Sequence, residues 1–179
     1  MKNIQIIDNC VTLQYQNFLV QELHAPNLVW VFANDVTHTN KNKGNPGFSN
    51  IAYQNNTVNS TAYWFLYPVL LEACSKANIN VEQLIRIRLG IYLNRNTTQP
   101  NSPHVDQNEP HMVGLYYLED FDGDTVFYTD STGQTELTRV TPKKGRMVIF
   151  DGGIYHASSN PVSSEYRTTI NFNFISSQK

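Results

Sequence analysis

Two stretches of this chain alternate apolar and polar side chains, and they restrict the fold more than anything else in the sequence. From Leu84 to Asn94, Ile85, Ile87, Leu89, Ile91 and Leu93 fall on one side of an extended chain, and Arg86, Arg88, Tyr92 and Asn94 on the other. From Arg167 the pattern returns: Ile170, Phe172 and Phe174 share a face, with Arg167, Thr169, Asn171 and Asn173 opposite. A strand alternates in this way when one face meets a core and the other meets something polar. The expectation is a sheet with helices on its apolar face and a wet pocket on the other.

The first half supplies the helices. Ile4–Ile7 reads as a strand, and Asp8 or Asn9 as the cap of a helix over 11–23 with Leu13, Phe18, Leu19 and Leu23 inward. Leu28–Phe32 reads as a second strand, rich in bulky and β-branched residues. Asn34–Asn59 reads as a long connection, either a lid or a surface excursion. Ser60 or Thr61 can cap a second helix over 62–77, whose stripe of Phe65, Leu66, Val69, Leu70 and Ala73 is core packing. Beyond it, Met112–Leu118, Asp124–Tyr128 and Gly145–Phe150 read as strands, with Asp122-Gly123-Asp124 as a hairpin turn. Thr129–Gly133 and Pro142–Gly145 are further turns. The expected organisation is one domain over 1–179, with 1–83 in support and 84–175 as the core.

Composition narrows the function classes. A formal charge of −2 on 179 residues argues against a broad basic face for nucleic acid. Two cysteines, Cys10 and Cys74, lie far apart and form no metal or disulfide pattern. The N-terminus is short and polar, and no apolar run approaches a bilayer span, so a cytoplasmic protein without a membrane partner is expected.

Chemistry concentrates in Ser102-Pro103-His104-Val105-Asp106. His104 and Asp106 are two apart, so an extended strand turns both to one face, about 6–7 Å apart along the backbone. His156 follows Phe150-Asp151-Gly152-Gly153-Ile154-Tyr155, and Arg167 comes eleven residues later. Two histidines and one carboxylate on one side of a metal leave its other positions open, the facial arrangement of non-haem Fe(II) oxygenases. His-x-Asp alone is common by chance; the full constellation is not.

With its neighbours, the constellation resembles the 2-oxoglutarate and Fe(II)-dependent dioxygenases, in particular the prolyl 4-hydroxylase-like branch. The phrases that carry the resemblance are Tyr116-Tyr117-Leu118, Phe121–Phe127, Pro142–Arg146 and Phe150–Gly153, within residues 84–174. It departs at Gly123-Asp124-Thr125, where many relatives have Gly-Gly-Glu-Thr.

The resemblance implies a double-stranded β-helix, or jelly roll, of mainly β structure with N-terminal helices covering the larger sheet. It makes His104, Asp106 and His156 the iron ligands and Arg167 the partner of the distal carboxylate of 2-oxoglutarate, with Thr169, Tyr117 and Asn94 beside the co-substrate and Tyr92 competing with Asn94. The implied cofactors are Fe(II), 2-oxoglutarate and O2, with ascorbate as a supporting reductant. The implied reaction hydroxylates a C–H bond and releases succinate and CO2. Asp106 argues against a halogenase, whose halide takes the place of that carboxylate. Asn173 stands where nucleic-acid dealkylating relatives carry a second arginine, which argues against DNA or RNA.

A peptidyl prolyl residue is the first candidate substrate, then a free amino acid or small metabolite, with Arg88, Tyr92, His111 and Tyr155 as candidate contacts. A non-catalytic jelly-roll binding module and a cupin-type metal enzyme are the rival readings.

Overall fold

The computed structural model describes residues 4–37 and 44–178. Its elements run β1 (Ile4–Ile7), α1 (Leu13–Leu23), β2 (Val31–Ala33), β3 (Gly47–Gln54), β4 (Thr57–Val58), α2 (Ala62–Lys76), β5 (Ile79–Leu93), β6 (Met112–Tyr117), β7 (Thr125–Tyr128), β8 (Glu136–Val140), β9 (Met147–Asp151), β10 (Tyr155–Ser158) and β11 (Tyr166–Gln178). The larger sheet has the order β1-β9-β6-β11-β5-β3-β2, with β4 beside β3, and the smaller one the order β10-β7-β8. Every pairing between these strands is antiparallel. This is the mainly β, helix-backed jelly roll that the sequence leads one to expect. Among the described residues no helix is long and apolar enough to cross a membrane.

Period-2 alternation builds both layers. On β6, Tyr116 joins the helix-facing core while Val113, Leu115 and Tyr117 join a second core between the sheets. The helix-facing core gathers Leu19 and Leu23 of α1, Leu66, Val69, Leu70 and Ala73 of α2, and Ile87, Leu89, Ile170 and Phe172 of the sheet. Gly114 lets α2 come close, because a Cβ there would sit 3.3 Å from Leu70 Cδ1.

Several elements differ from expectation, each for a local reason. The cap of α1 is Thr12, whose hydroxyl accepts from Tyr15 N at 3.3 Å. Asp8 is taken instead by Arg146, which reaches its two oxygens at 2.6 and 3.0 Å. The helix buries Gln16, Leu19 and Leu23 rather than Leu13 and Phe18, which are exposed. Gln16 is tolerated there because its amide donates to Val11 O at 2.9 Å. At the second helix Thr61 is the cap residue but makes no side-chain cap bond; Ser60 Oγ accepts from Ala62 N at 3.3 Å.

The 34–59 segment is no structureless loop. It contains β3, which joins β5 in the large sheet, and β4. Polar residues disguise β3: Asn50 is buried only because its amide donates to Val29 O at 2.8 Å. Positions 38–43 of the expected connection, lid or surface excursion, lie outside the described residues. The expected strand over 28–32 is limited to Val31–Ala33, with Val31 and Phe32 exposed.

Strict alternation along β5 breaks at Ile85. Asn173 pairs with Arg86 but Phe174 pairs with Leu84, so one extra residue bulges out and Leu84, not Ile85, enters the core. Asp122-Gly123-Asp124 does not close a hairpin, because β6 and β7 belong to different sheets. There Gly123 has φ +92°, and a Cβ would lie 2.8 Å from Ser159 O. The Asp122 carboxylate accepts from the amides of Val162, Ser163 and Ser164 at 2.6–3.1 Å and ties down the loop before β11.

Cys10 and Cys74 are free and buried. Burial pushes each thiol up to about 12, so thiolate is scarce at neutral pH. Native protein treated with iodoacetamide is expected to keep its intact mass, while denatured protein takes up two labels. Rapid labelling of the native chain would mean that the helix layer opens readily.

Candidate metal and co-substrate site

The floor of the site is one polar face of the β5–β11 ribbon. Its facing pairs are Tyr92 with Arg167, Gly90 with Thr169, Arg88 with Asn171 and Arg86 with Asn173. The smaller sheet closes over this face, leaving a cavity of about 300 Å³ whose lining includes these residues except Asn173, together with His104, Asp106, Thr125 and His156.

The two histidines meet because their backbones pair. His104 N donates to His156 O and His156 N to His104 O, both at 3.0 Å, as an antiparallel bridge. The rings stand side by side with centroids 4.7 Å apart. Each Nδ1 faces a backbone carbonyl, Ser102 O at 3.3 Å for His104 and Ile154 O at 3.1 Å for His156. A proton held there leaves Nε2 free to bind a metal. With Asp106, the three residues offer ligand atoms that all lie within 4.8 Å of one another.

The Asp106 carboxylate is buried and braced. Its Oδ2 accepts from Asn171 and Asn173, each at 2.9 Å, and its Oδ1 lies 3.6 Å from Arg86 and 3.8 Å from His104 Nε2. Burial alone would raise this carboxyl, but His156, Arg86, His104 and the Asn171 bond outweigh it and hold it well below the usual range. Burial and the neighbouring His156 drive His104 down to about 4. Neutral imidazole beside ionised carboxylate is the protonation state a divalent metal needs, so the donor set fits Fe(II).

Arg167 is buried 99%, between the rings of Tyr92 and Tyr117 at 5.6 and 5.5 Å. It donates to Ser159 O at 3.0 Å and Thr125 Oγ1 at 2.9 Å, and its Nε has no partner. Among the described residues no carboxylate pairs with it. Tyr117 also donates to Thr125 Oγ1, at 2.8 Å. With two donors on its oxygen, the Thr125 hydroxyl directs its own proton elsewhere. Thr169 lines the cavity.

The remaining candidates separate. Tyr92 and Arg88 line the cavity, whereas Tyr117 lies beneath Arg167. Asn94 does not line it; its amide holds Val162 O and Ser164 O at 2.9 and 3.0 Å. His111 packs on Gly152 and lies within 2.8 Å of Glu109 O. Tyr155 lines a separate groove with Asn108 and Asp151.

Sequence reasoning missed Thr125 and the braces Arg86, Asn171 and Asn173. Alternation with the core residues was the available signal for the three braces. It also missed a closed ring of buried amides: Asn45 donates to Asn101 at 3.0 Å, Asn101 to Asn160 at 3.1 Å, and Asn160 to Asn45 at 2.9 Å. The ring pins the segment before His104 to the loop carrying Ser159.

Replacing Asn173 by Ala removes the amide that joins Asp106 to Arg86, where it accepts from Nε at 2.8 Å. Mn(II) affinity, followed through the electron paramagnetic resonance of the free ion, is expected to fall ~10–100-fold. Unchanged affinity would mean the brace is immaterial to the metal.

The comparisons agree with this geometry. Residues 89–175 match the family model described as the 2OG-Fe(II) oxygenase superfamily. The fold resembles a prolyl hydroxylase from Trichoplax adhaerens, solved with a hypoxia inducible factor oxygen degradation domain peptide fragment (TM-score 0.69, 14% identity, 98% of this chain and 84% of that one). It also resembles a Pseudomonas putida prolyl-4-hydroxylase (TM-score 0.63, 13% identity, 97% and 93%). HygX from Streptomyces hygroscopicus, solved with nickel, 2-oxoglutarate and hygromycin B, is similar too (TM-score 0.63, 12% identity, 97% and 82%). No curated protein sequence matches the chain. Residues 89–175, which carry the His104–Asp106–His156 cluster and Arg167, thus match the 2OG-Fe(II) oxygenase superfamily, whose members work with Fe(II), 2-oxoglutarate and O2.

Proposed function

We propose that this chain hydroxylates a C–H bond, using Fe(II), 2-oxoglutarate and O2 and releasing succinate and CO2. The observation that carries the proposal is a buried guanidinium, Arg167, with no carboxylate partner among the described residues, in the same cavity as a two-histidine, one-carboxylate cluster. A bare binding module has no use for both. A cupin-type site without a co-substrate leaves Arg167 unexplained.

In this reading His104, Asp106 and His156 hold the metal. Arg167 receives the distal carboxylate of 2-oxoglutarate through the planar fork that suits two oxygens. Thr169, on the same strand face, and Thr125 add hydroxyls to that end of the cavity, and the rings of Tyr92 and Tyr117 hold the guanidinium plane. When bound, the metal and keto acid supply the oxidative decarboxylation that activates O2. The chain's own work is to orient them and to exclude water, which the smaller sheet does by covering the floor. Asn94, which binds the 162–164 loop, has a supporting part, and Tyr92 takes the position beside the co-substrate.

For the substrate, a peptidyl prolyl residue is supported by the fold shared with two prolyl hydroxylases, and a small molecule by the fold shared with HygX. His111 and Tyr155, which lie outside the cavity, are left without a part in either. Ascorbate would serve to keep the metal ferrous.

Purified chain with Fe(II), ascorbate and 2-oxoglutarate is expected to form succinate slowly without substrate. Asp106→Ala should abolish this, with a circular-dichroism spectrum near that of the parent and a loss of about 1–3 kcal/mol in urea melts from the donors left unpaired. Arg167→Ala should raise the KM for 2-oxoglutarate at least ~10-fold, as loss of a charge-assisted pair requires. No succinate from the parent with any candidate substrate would favour the binding module, and an unchanged KM the cupin-type site.

A further inference from the structure

Three guanidiniums line this cavity, and their partners differ. Arg86 is closed off by Asp106 at 3.6 Å and by Asn173 Oδ1 at 2.8 Å. Arg167 awaits the co-substrate in the reading above. Arg88 has neither arrangement. Among the described residues its side chain makes one hydrogen bond, to Val36 O, its Nε is buried without a partner, and no carboxylate pairs with it. On the floor it faces Asn171, one of the two residues that donate to Asp106, so it stands level with the metal cluster. Tyr92, opposite Arg167, is four residues further along β5, roughly 13 Å at the rise of an extended chain. Arg88 and Arg167 therefore rise from different points along the floor.

Charge points the same way. Fe(II) and the two carboxylates of 2-oxoglutarate cancel one another. Asp106 balances one of the three guanidiniums, and two positive charges remain around the cavity. One partly buried cation left unpaired beside the reacting centre favours an anion there.

We propose that Arg88 receives a carboxylate of the substrate, so that the C–H bond to be hydroxylated lies a few bonds from a carboxylate. This rests on the oxygenase reading and deepens it. The carboxylate can be that of a free amino acid, of a C-terminal residue, or of an acidic side chain next to the reacting residue. The chemistry is common to all three.

The test titrates matched pairs into full-length chain loaded with Mn(II) and 2-oxoglutarate, read by calorimetry. The pairs are L-proline and L-prolinamide, N-acetylglycyl-proline and its amide, and N-acetyl-prolyl-aspartate amide and its asparagine analogue. At least one carboxylate is expected to bind ~10-fold or more tightly than its amide, the scale of a charge-assisted pair. The pair that discriminates names the source. Arg88→Gln should abolish the preference and Arg88→Lys retain part of it, with parent-like melting checked for both.

Equal binding within every pair, no binding by any carboxylate, or a preference that survives in Arg88→Gln would overturn the proposal. So would loss of 2-oxoglutarate affinity in Arg88→Gln with the preference intact. Failure of the oxygenase reading appears separately, as failure of Mn(II) or 2-oxoglutarate to load. The same pairs are then titrated into the metal-free chain, where absence of preference also rejects the assignment.

Discussion

The pairing of β5 with β11 is the constraint on which the molecule depends. One face of this ribbon presents Arg86, Arg88, Tyr92, Arg167, Thr169, Asn171 and Asn173, and the other presents Ile87, Leu89, Ile170 and Phe172 to the helices. Because the side-chain period is two, a slip of one residue would put arginines in the core and leucines in the cavity. Core and site thus specify the same register, and neither can be changed alone. The bulge at Ile85 ends the polar face: past it, Leu84 and Phe174 serve only the core.

Burying this much charge is costly, and each group is supported differently. Asp106 and Arg86 lie beside one another, and Asn173 bridges them by accepting from one and donating to the other. Arg167 rests between two tyrosine rings, an arrangement contributing up to about 2 kcal/mol when desolvated. Asn173 shows why a position can be decisive without touching substrate. Its amide needs both a donor and an acceptor end, which no aliphatic residue offers.

The alternation, both helices, the clustering of His104, Asp106 and His156 and the polar-face position of Arg167 were legible because each is written in local spacing or residue type. What was hidden depends on partners distant in sequence. Thr12 caps α1 because Asp8 is drawn to Arg146, 138 positions away. Strand β3 escaped notice because it buries a polar residue, Asn50, whose amide donates to the distant Val29 O, in place of an apolar pattern. Asn94 and Tyr92 lie on the same sequence face, and only the turn of the 162–164 loop toward Asn94 separates their parts. The abundance of asparagine, without meaning in the sequence, acquires one in the fold. The non-glycine residues with positive φ among those described, at positions 9, 55, 56, 78 and 96, are all Asn, which tolerates that conformation. Others form the amide ring and the braces of Asp106.

The paired backbones of His104 and His156 carry a last consequence. Two main-chain hydrogen bonds set the separation of the imidazoles, and neither bond involves an atom that would touch the ion. The spacing of the two imidazoles thus belongs to the backbone. Main-chain pairing builds both rings into the sheet itself, where a zinc-finger-like domain relies on its metal to bring its ligands together.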